Sequence, residues 1–433
     1  MARDVLILLP VIPFECIAGK SLEREKRKMS ATSSNDSTAP RRVMAYCHDS
    51  VGIGHLRRTM AICDRIGQDF GEASFLLATG TPYVPLFRDI ARVDYVKLPA
   101  LKKECNGAYG SKYLNITLKR IVKCRESMLL EAAKHYEPDV FLVDKAPLGV
   151  CRELVPALNW LKANRPQTRI IFGMRDIEDE PEATIEQWNR DGVAEVLARC
   201  FDEVWVYGMQ DVFDAVAKYR LPHDVAEKTR YMGYIARTPD EAYLNRKASD
   251  RVVVTVGGGT DGELVLETFL ADAASKLSKE GTPCTIVGGP DLPESARTRL
   301  KRQANAIPGV TWLDFEPDMS RLFTDARLVV CMGGYNTLCE LVSLRRRALV
   351  IPRIQPRLEQ AIRAACWEAR GALRMLHPDQ LTPSTLTKRL REMRDENESQ
   401  AMPLLDLGGL TRVADRFREF WRKDQCHASA ICL

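Results

Sequence analysis

No two of the 13 cysteines form a Cys-x-x-Cys pair, which leaves structural zinc and a disulfide framework without support. Several stand inside apolar, strand-like runs, such as Cys284 in Pro283-Cys284-Thr285-Ile286-Val287 and Cys331 in Leu328-Val329-Val330-Cys331-Met332. Buried free thiols of this kind point to a reducing compartment. Long apolar runs are missing too: past residue 40 no stretch could cross a bilayer, so the body is expected in the cytoplasm. Charge of one sign is scarce, with 63 basic against 58 acidic residues and a net +5. So small an excess does not suggest a nucleic-acid partner, which would want a clustered basic stripe. No fixed-period repeat is visible.

What is present is ordinary for a globular protein: 45% hydrophobic and 28% charged residues over 433 positions, a length that suggests two domains. The first forty residues stand apart. Val5 to Ile17 is apolar but interrupted by Pro10 and Pro13, too short for a membrane span. Arg3 is offset by Asp4 and no clear small-residue cleavage site follows, so a signal peptide is not expected. Lys20 to Lys28 is highly charged and Ser30 to Pro40 is rich in Ser and Thr, a composition that reads as disorder. Residues 1–40 are therefore expected to be a disordered or non-native extension, with Met29 as an alternative start.

From Arg42 the chain alternates short β-rich runs with amphipathic stretches. Strands are predicted at Val43–Cys47, Ser74–Ala78, Val140–Val143, Ile170–Phe172 and Glu203–Val206, with a last short one at Tyr231–Tyr234. A second series is predicted at Val252–Val256, Thr285–Val287, Thr311–Leu313, Leu328–Met332 and Ala348–Ile351. This βαβα order predicts an α/β protein with two Rossmann-like parallel sheets. The expected divisions are a first domain over 41–236, a linker over 237–250, a second domain over 251–400, and a crossing helix and tail over 401–433. After the first strand, Leu56, Met60 and Cys63 fall at i, i+4 and i+7 and mark a buried helix face.

Ligands of open parallel sheets bind beyond the carboxyl ends of the strands, and three glycine-rich loops stand there. The first is His48-Asp49-Ser50-Val51-Gly52-Ile53-Gly54-His55. Gly52 and Gly54 let backbone approach a ligand, and His55 at the helix start could take a hydroxyl proton. The plain alternative is a turn that His55 caps. A dinucleotide fingerprint would need glycine where Arg57 stands, and no acidic residue ends the second strand. The second loop is Gly257-Gly258-Gly259-Thr260-Asp261-Gly262, whose bare backbone suits a phosphate or a flexible turn equally. The third, Gly333-Gly334-Tyr335-Asn336-Thr337, runs into a helix on which Leu338, Leu341 and Val342 mark the buried face. Glu340 lies about 200° from Leu338 and can face a ligand. A carboxylate so placed could accept both hydroxyls of a ribose while the helix start holds a diphosphate. Thr337-x-x-Glu340 is also the spacing of a capping box.

Phe315-Glu316-Pro317-Asp318-Met319 could seat a base, and Arg345-Arg346-Arg347 reads as a solvated turn. The basic stretch from Lys97 to Arg125, with Tyr109 and Tyr113 within it, could attract an anionic acceptor or a membrane surface.

Together these residues resemble the glycosyltransferases of family 28, the MurG-like enzymes, whose GT-B fold sets two Rossmann-like domains across a cleft. The resemblance is sharpest at Val330-Cys331-Met332-Gly333-Gly334-Tyr335-Asn336-Thr337-Leu338-Cys339-Glu340-Leu341 and at Pro352-Arg353-Ile354-Gln355-Pro356-Arg357-Leu358-Glu359-Gln360. It implies that Glu340 holds the ribose, Gly333 and Gly334 the diphosphate side, Phe315 and Glu316 the base, and Gln360 the donor sugar; from the loops themselves, Gly257, Gly258, Gly259, Thr260, Asn336 and Thr337 are further donor-site candidates. Two departures stand out. The family's Gln-x-x-Asn-Ala is here Gln360-Ala361-Ile362-Arg363-Ala364. The first loop, Gly52-x-Gly54-His55-x-x-Arg58, is closer to that of a related UDP-sugar hydrolase, whose water-activating His and Asp would correspond to His55 and Asp49.

The expected activity is inverting transfer of a hexose from a nucleotide diphosphate sugar, a UDP-sugar, to a hydroxyl acceptor, with no cofactor. His55 is the expected base and Asp49 or Asp144 the alternates, on an acceptor side that includes Gly52, Gly54 and Arg58. No Asp-x-Asp lies near the site, so helix starts and amides rather than a metal should stabilise the leaving group. The acceptor is expected to be lipid-linked or otherwise anionic, met at the inner membrane face. The rivals are a nucleotide-sugar hydrolase and a non-catalytic nucleotide-sugar-binding module.

Overall fold

The structure, a computed structural model, describes residues 41–48, 54–84, 92–103, 109–237, 248–396 and 405–431. The extension over 1–40, Asp49, Gly52 and most of the expected linker lie outside the described residues.

Two parallel sheets organise the chain. The first holds β1 (Arg41–Cys47), β2 (Ala73–Thr79), β3 (Val93–Lys97), β6 (Val140–Asp144), β7 (Arg169–Arg175), β8 (Glu203–Tyr207) and β9 (Thr229–Tyr231), in the order β3-β2-β1-β6-β7-β8-β9. A small antiparallel hairpin, β4 (Leu101–Lys103) with β5 (Tyr109–Ser111), stands beside it. The second sheet holds β10 (Arg251–Thr255), β11 (Cys284–Val287), β12 (Val310–Leu313), β13 (Ala326–Cys331), β14 (Arg347–Val350) and β15 (Arg374–Met375), in the order β12-β11-β10-β13-β14-β15. The helices that bear on function are α1 (Gly54–Asp69), α2 (Leu118–Tyr136), α3 (Tyr335–Ser343), α4 (Glu359–Glu368) and α5 (Gly409–Ile431).

Both sheets are covered on both faces, so their strands are apolar on both sides rather than alternating. In β1, Val43, Ala45 and Cys47 enter one core layer while Met44 and Tyr46 enter the other, the two-residue period of a pleated strand. Leu56, Met60 and Cys63 of α1 are all buried. The last strand of the first sheet ends at Tyr231, not Tyr234: Met232 and Gly233 still donate to Val206 O and Gly208 O, but Tyr234 N turns to Asp406 O. Strands β3 and β15 and the hairpin escape sequence reading. β3 and β15 are edge strands, and β3 carries Asp94 and Lys97, polar residues typical of an edge.

α5 returns to the first sheet. Phe417 lies 6.0 Å from Trp205 and Trp421 4.7 Å from Phe70, ring to ring, and Arg416 pairs with Glu203. Strand order reverses between β1 and β6 and again between β10 and β13. A crevice opens where neighbouring crossovers leave to opposite faces, and the start of α1 meets the loops after β10 and β13 there.

Candidate active site

In the first half, α1 begins two residues before Leu56, directly over the crevice, and carries His55 and Arg58 to the end of β6, where Asp144 is the last strand residue. His55 Nδ1 lies 2.5 Å from Asp144 Oδ2 and 3.0 Å from Arg58 Nη2. The carboxylate is closer and negatively charged, so the ring proton sits on Nδ1 and Nε2 is the basic nitrogen. Arg58 clamps the other carboxylate oxygen with Nε at 3.1 Å and Nη2 at 2.6 Å. Burial pushes His55 down to about 4 against the upward pull of Asp144. Burial alone would raise Asp144, but the guanidinium of Arg58 and the ring of His55 outweigh it and hold the carboxyl far below its ordinary range. The dyad is thus a neutral imidazole oriented by an ionised carboxylate. Arg58, read from sequence as part of an acceptor-side loop, is only 2% exposed; its job is to hold Asp144.

The second half supplies two glycine turns. Gly259 has φ 99°, and a Cβ there would stand 2.6 Å from Gly288 O, so the turn after β10 closes only around glycine. Gly333 has φ 80° and leads through Gly334 into α3. The N–H groups of Tyr335, Asn336 and Thr337 open that helix and have no acceptor within it. The cap of α3 is Gly334 and Thr337 makes no side-chain cap; the carboxylate of Glu340 accepts from the Ser320 hydroxyl instead. The capping-box reading of Thr337 and Glu340 therefore does not hold here.

These parts enclose one cavity of about 300 Å³. It is lined by Gly54, His55 and Arg58 from the first half and by Gly257, Gly258, Gly259, Thr260, Phe315, Glu316, Gly334, Asn336, Thr337 and Gln360 from the second. Three candidates from the sequence stand elsewhere. Gly333 lies behind the wall, its carbonyl accepting from Arg363 Nη1 at 3.3 Å. Asp144 touches the cavity through His55. Glu340 lines a smaller neighbouring cavity with Arg57 and Asn336. The amide of Asn336 reaches across to Gly54 O at 2.8 Å, and the side-chain oxygen of Gln360 accepts from Arg353 N at 3.0 Å.

Sequence reading missed the charged wall between the halves. Arg175, at the end of β7, and Arg353, after β14, both line the cavity and both pair with Glu359 at the start of α4. Arg363 of α4 is fully buried and grips Asp176 with Nε at 2.8 Å and Nη2 at 2.7 Å. Lys145 is paired with Glu178, and burial lowers it to about 8. The position of Arg175-Asp176 at a strand's carboxyl end was the signal available in the sequence.

The sequence model of the Glycosyltransferase family 28 C-terminal domain matches residues 252–406. Among curated proteins, the UDP-N-acetylglucosamine–N-acetylmuramyl-(pentapeptide) pyrophosphoryl-undecaprenol N-acetylglucosamine transferase of Streptococcus agalactiae serotype Ia is 31% identical over 184 residues, 40% of this chain and 48% of that one. Its counterpart from Corynebacterium efficiens is 28% identical over 145 residues, 34% and 38% of the two chains. The match thus spans less than half the length of these relatives. Among solved structures, MurG of Acinetobacter baumannii superposes with TM-score 0.55 at 15% identity, covering 88% of this chain and all of that one. The calicheamicin glycosyltransferase CalG4 gives 0.58 at 13% identity, over 88% and 98%. At such identities the likeness is one of fold. The chain has the two-domain GT-B fold, and residues 252–406 match the glycosyltransferase family 28 C-terminal domain.

Proposed function

We propose that this protein is an inverting glycosyltransferase that moves a hexose from a nucleotide diphosphate sugar, a UDP-sugar, to a hydroxyl acceptor. One observation carries the proposal: His55 of one half, held by Asp144, and two glycine turns of the other line a single cavity. The diphosphate would lie on the Gly257–Gly259 turn and the N-terminus of α3, where free N–H groups and the helix dipole favour negative charge. Arg175 and Arg353, paired with Glu359 and Asp261, lie beside it, and their N–H groups would turn to the departing diphosphate, so this mechanism uses no metal. Phe315 and Glu316 would seat the base and Gln360 the sugar. Glu340 would exchange the Ser320 hydroxyl for the two ribose hydroxyls.

In the reaction, His55 Nε2 takes the acceptor proton as the acceptor oxygen bonds to the anomeric carbon. The bond from that carbon to the diphosphate oxygen breaks on the opposite face, which inverts the centre. Asp144 stabilises the imidazolium that forms.

The acceptor is proposed to be lipid-linked, met at a membrane surface. Tyr113, Leu114 and Ile116 are 66%, 49% and 38% exposed in the segment before α2. Lys112, Lys119, Arg120 and Lys123 stand exposed around them, the mixture of apolar and basic groups that an anionic bilayer attracts. Among the described residues no helix is long and apolar enough to cross a membrane.

A thermal-shift screen against UDP-, dTDP- and GDP-sugars tests the donor half, because a ligand of the native state raises Tm. The stabilising donor is then incubated without acceptor. Stable donor supports transfer, fast stoichiometric release of free sugar makes the protein a hydrolase, and no shift with any nucleotide removes the reading.

A further inference from the structure

Tyr335 opens α3, yet its side chain leaves the second half. The hydroxyl donates to Tyr207 O at 2.8 Å and accepts from Ile235 N at 2.9 Å, both in the first half. The residue is 4% exposed. Two guanidinium groups lie over its ring, Arg58 at 5.4 Å and Arg363 at 5.6 Å from the centroid. Each of those arginines is committed to a buried carboxylate of the first half, Arg58 to Asp144 and Arg363 to Asp176.

An aromatic face attracts a guanidinium most strongly where water is excluded, so this ring helps fix the plane of Arg58. Arg58 in turn fixes the carboxylate that holds His55 Nδ1. The backbone of the same residue is the first turn of the helix whose N–H groups meet the cavity. One side chain therefore ties the donor-side turn to the proton-accepting dyad.

We propose that Tyr335 is a positioning residue, a peg from the donor turn into the first half that sets where His55 holds the acceptor hydroxyl relative to the donor's anomeric carbon. It moves no proton itself, since its hydroxyl is engaged by backbone on both its donor and its acceptor side. This inference rests on the glycosyltransfer reading above.

The test uses the full chain carrying Tyr335→Phe or Tyr335→Leu. Turnover is followed with the donor the parent protein accepts, UDP binding by calorimetry, and His55 by NMR titration of labelled histidine. The groups that face His55 are Asp144, Arg58, His48 and Arg175, and only the order of the first two depends on the peg. Tyr335→Phe keeps the ring and loses the hydroxyl bonds, so kcat should fall about fivefold, a neutral hydrogen bond's worth. UDP affinity and the His55 midpoint should stay put in that variant. Tyr335→Leu should lower kcat about a hundredfold, as an ångström of misplacement does, with UDP affinity within about threefold. Its His55 midpoint should rise as water reaches the dyad.

A Phe variant with the parent's kcat overturns the proposal. So does a Leu variant whose loss lies wholly in UDP binding with the His55 midpoint unmoved. Should the Leu variant not fold, the Phe result decides. If the parent turns over no nucleotide sugar, the glycosyltransfer reading fails, while the His55 titration still shows whether Tyr335 orders the dyad.

Discussion

Replacing Arg363 by methionine removes a guanidinium that makes three contacts of 2.7 to 3.1 Å with Asp176. Both residues are essentially buried, at 0% and 2% exposure, and they belong to different halves of the molecule. The remaining carboxylate would stand without a cation in a site that water does not reach. Breaking one side of a buried pair costs about 3–5 kcal/mol, mostly because the other charge is left uncompensated. With an unfolding entropy of about 2.1 cal/mol/K per residue over about 360 described residues, that corresponds to a fall in Tm of roughly 4–7 °C. Scanning calorimetry of the full chain measures it. The companion variant Asp176→Leu with Arg363→Met removes both charges and should recover most of the loss, since an apolar pair of similar volume often replaces a buried ion pair at little cost. A single variant that melts within about 1 °C of the parent would refute the argument. So would a double variant less stable than either single one.

Further outcomes follow from the site. His55→Ala should lower kcat by about 10²–10⁴ while UDP still raises Tm, and loss of nucleotide binding in that variant would displace His55 from the role of base. With His55 at about 4, log kcat/KM should be flat above about pH 5 and fall below it. Arg58→Met removes a cation that depresses His55, so the acid limb should move to higher pH; an unchanged limb would contradict the dyad. The same depression means that the unfolded chain binds more protons between about pH 4 and 6.5, so stability contributed by His55 is lost as pH falls through that window. Glu340→Ala should raise the donor KM with kcat little changed, and unchanged UDP affinity by calorimetry would remove Glu340 from the ribose. Leu114→Asp with Ile116→Asp should reduce co-sedimentation with vesicles containing anionic lipid and leave turnover of a soluble acceptor intact; undiminished sedimentation would clear that patch of a membrane role.

Much of the architecture is legible from local pattern. Strands such as Val140–Asp144 are apolar at nearly every position because both sheet faces are covered, so a short apolar run between turn residues identifies them. Two of the four edge strands are another matter: β3 keeps polar residues and β15 has two residues, and neither leaves a periodic signal. The glycine turns could be read because their chemistry is local; φ values of 99° at Gly259 and 80° at Gly333 favour a residue without Cβ whatever surrounds it.

Pairings between distant residues are invisible to such reading. Thr337-x-x-Glu340 fits a capping box by spacing, yet Glu340 bonds Ser320, twenty residues away. Arg58 looked like a loop cation and proves to be the clamp on Asp144, 86 residues on. Arg363 stands where the family resemblance has a sugar-contacting asparagine, and only the packing of α4 against the first sheet shows that its charge is spent on Asp176. The sequence by itself determined the strand order's raw material, the backbone-permissive turns and the motif that resembles family 28, since these depend on residues within one turn or strand of each other. Tertiary structure alone decided which carboxylate orients His55, which arginines face the cavity and which bind the halves together. Those choices depend on Coulomb interactions between groups far apart in the chain, whose strength is set by burial that no single segment possesses.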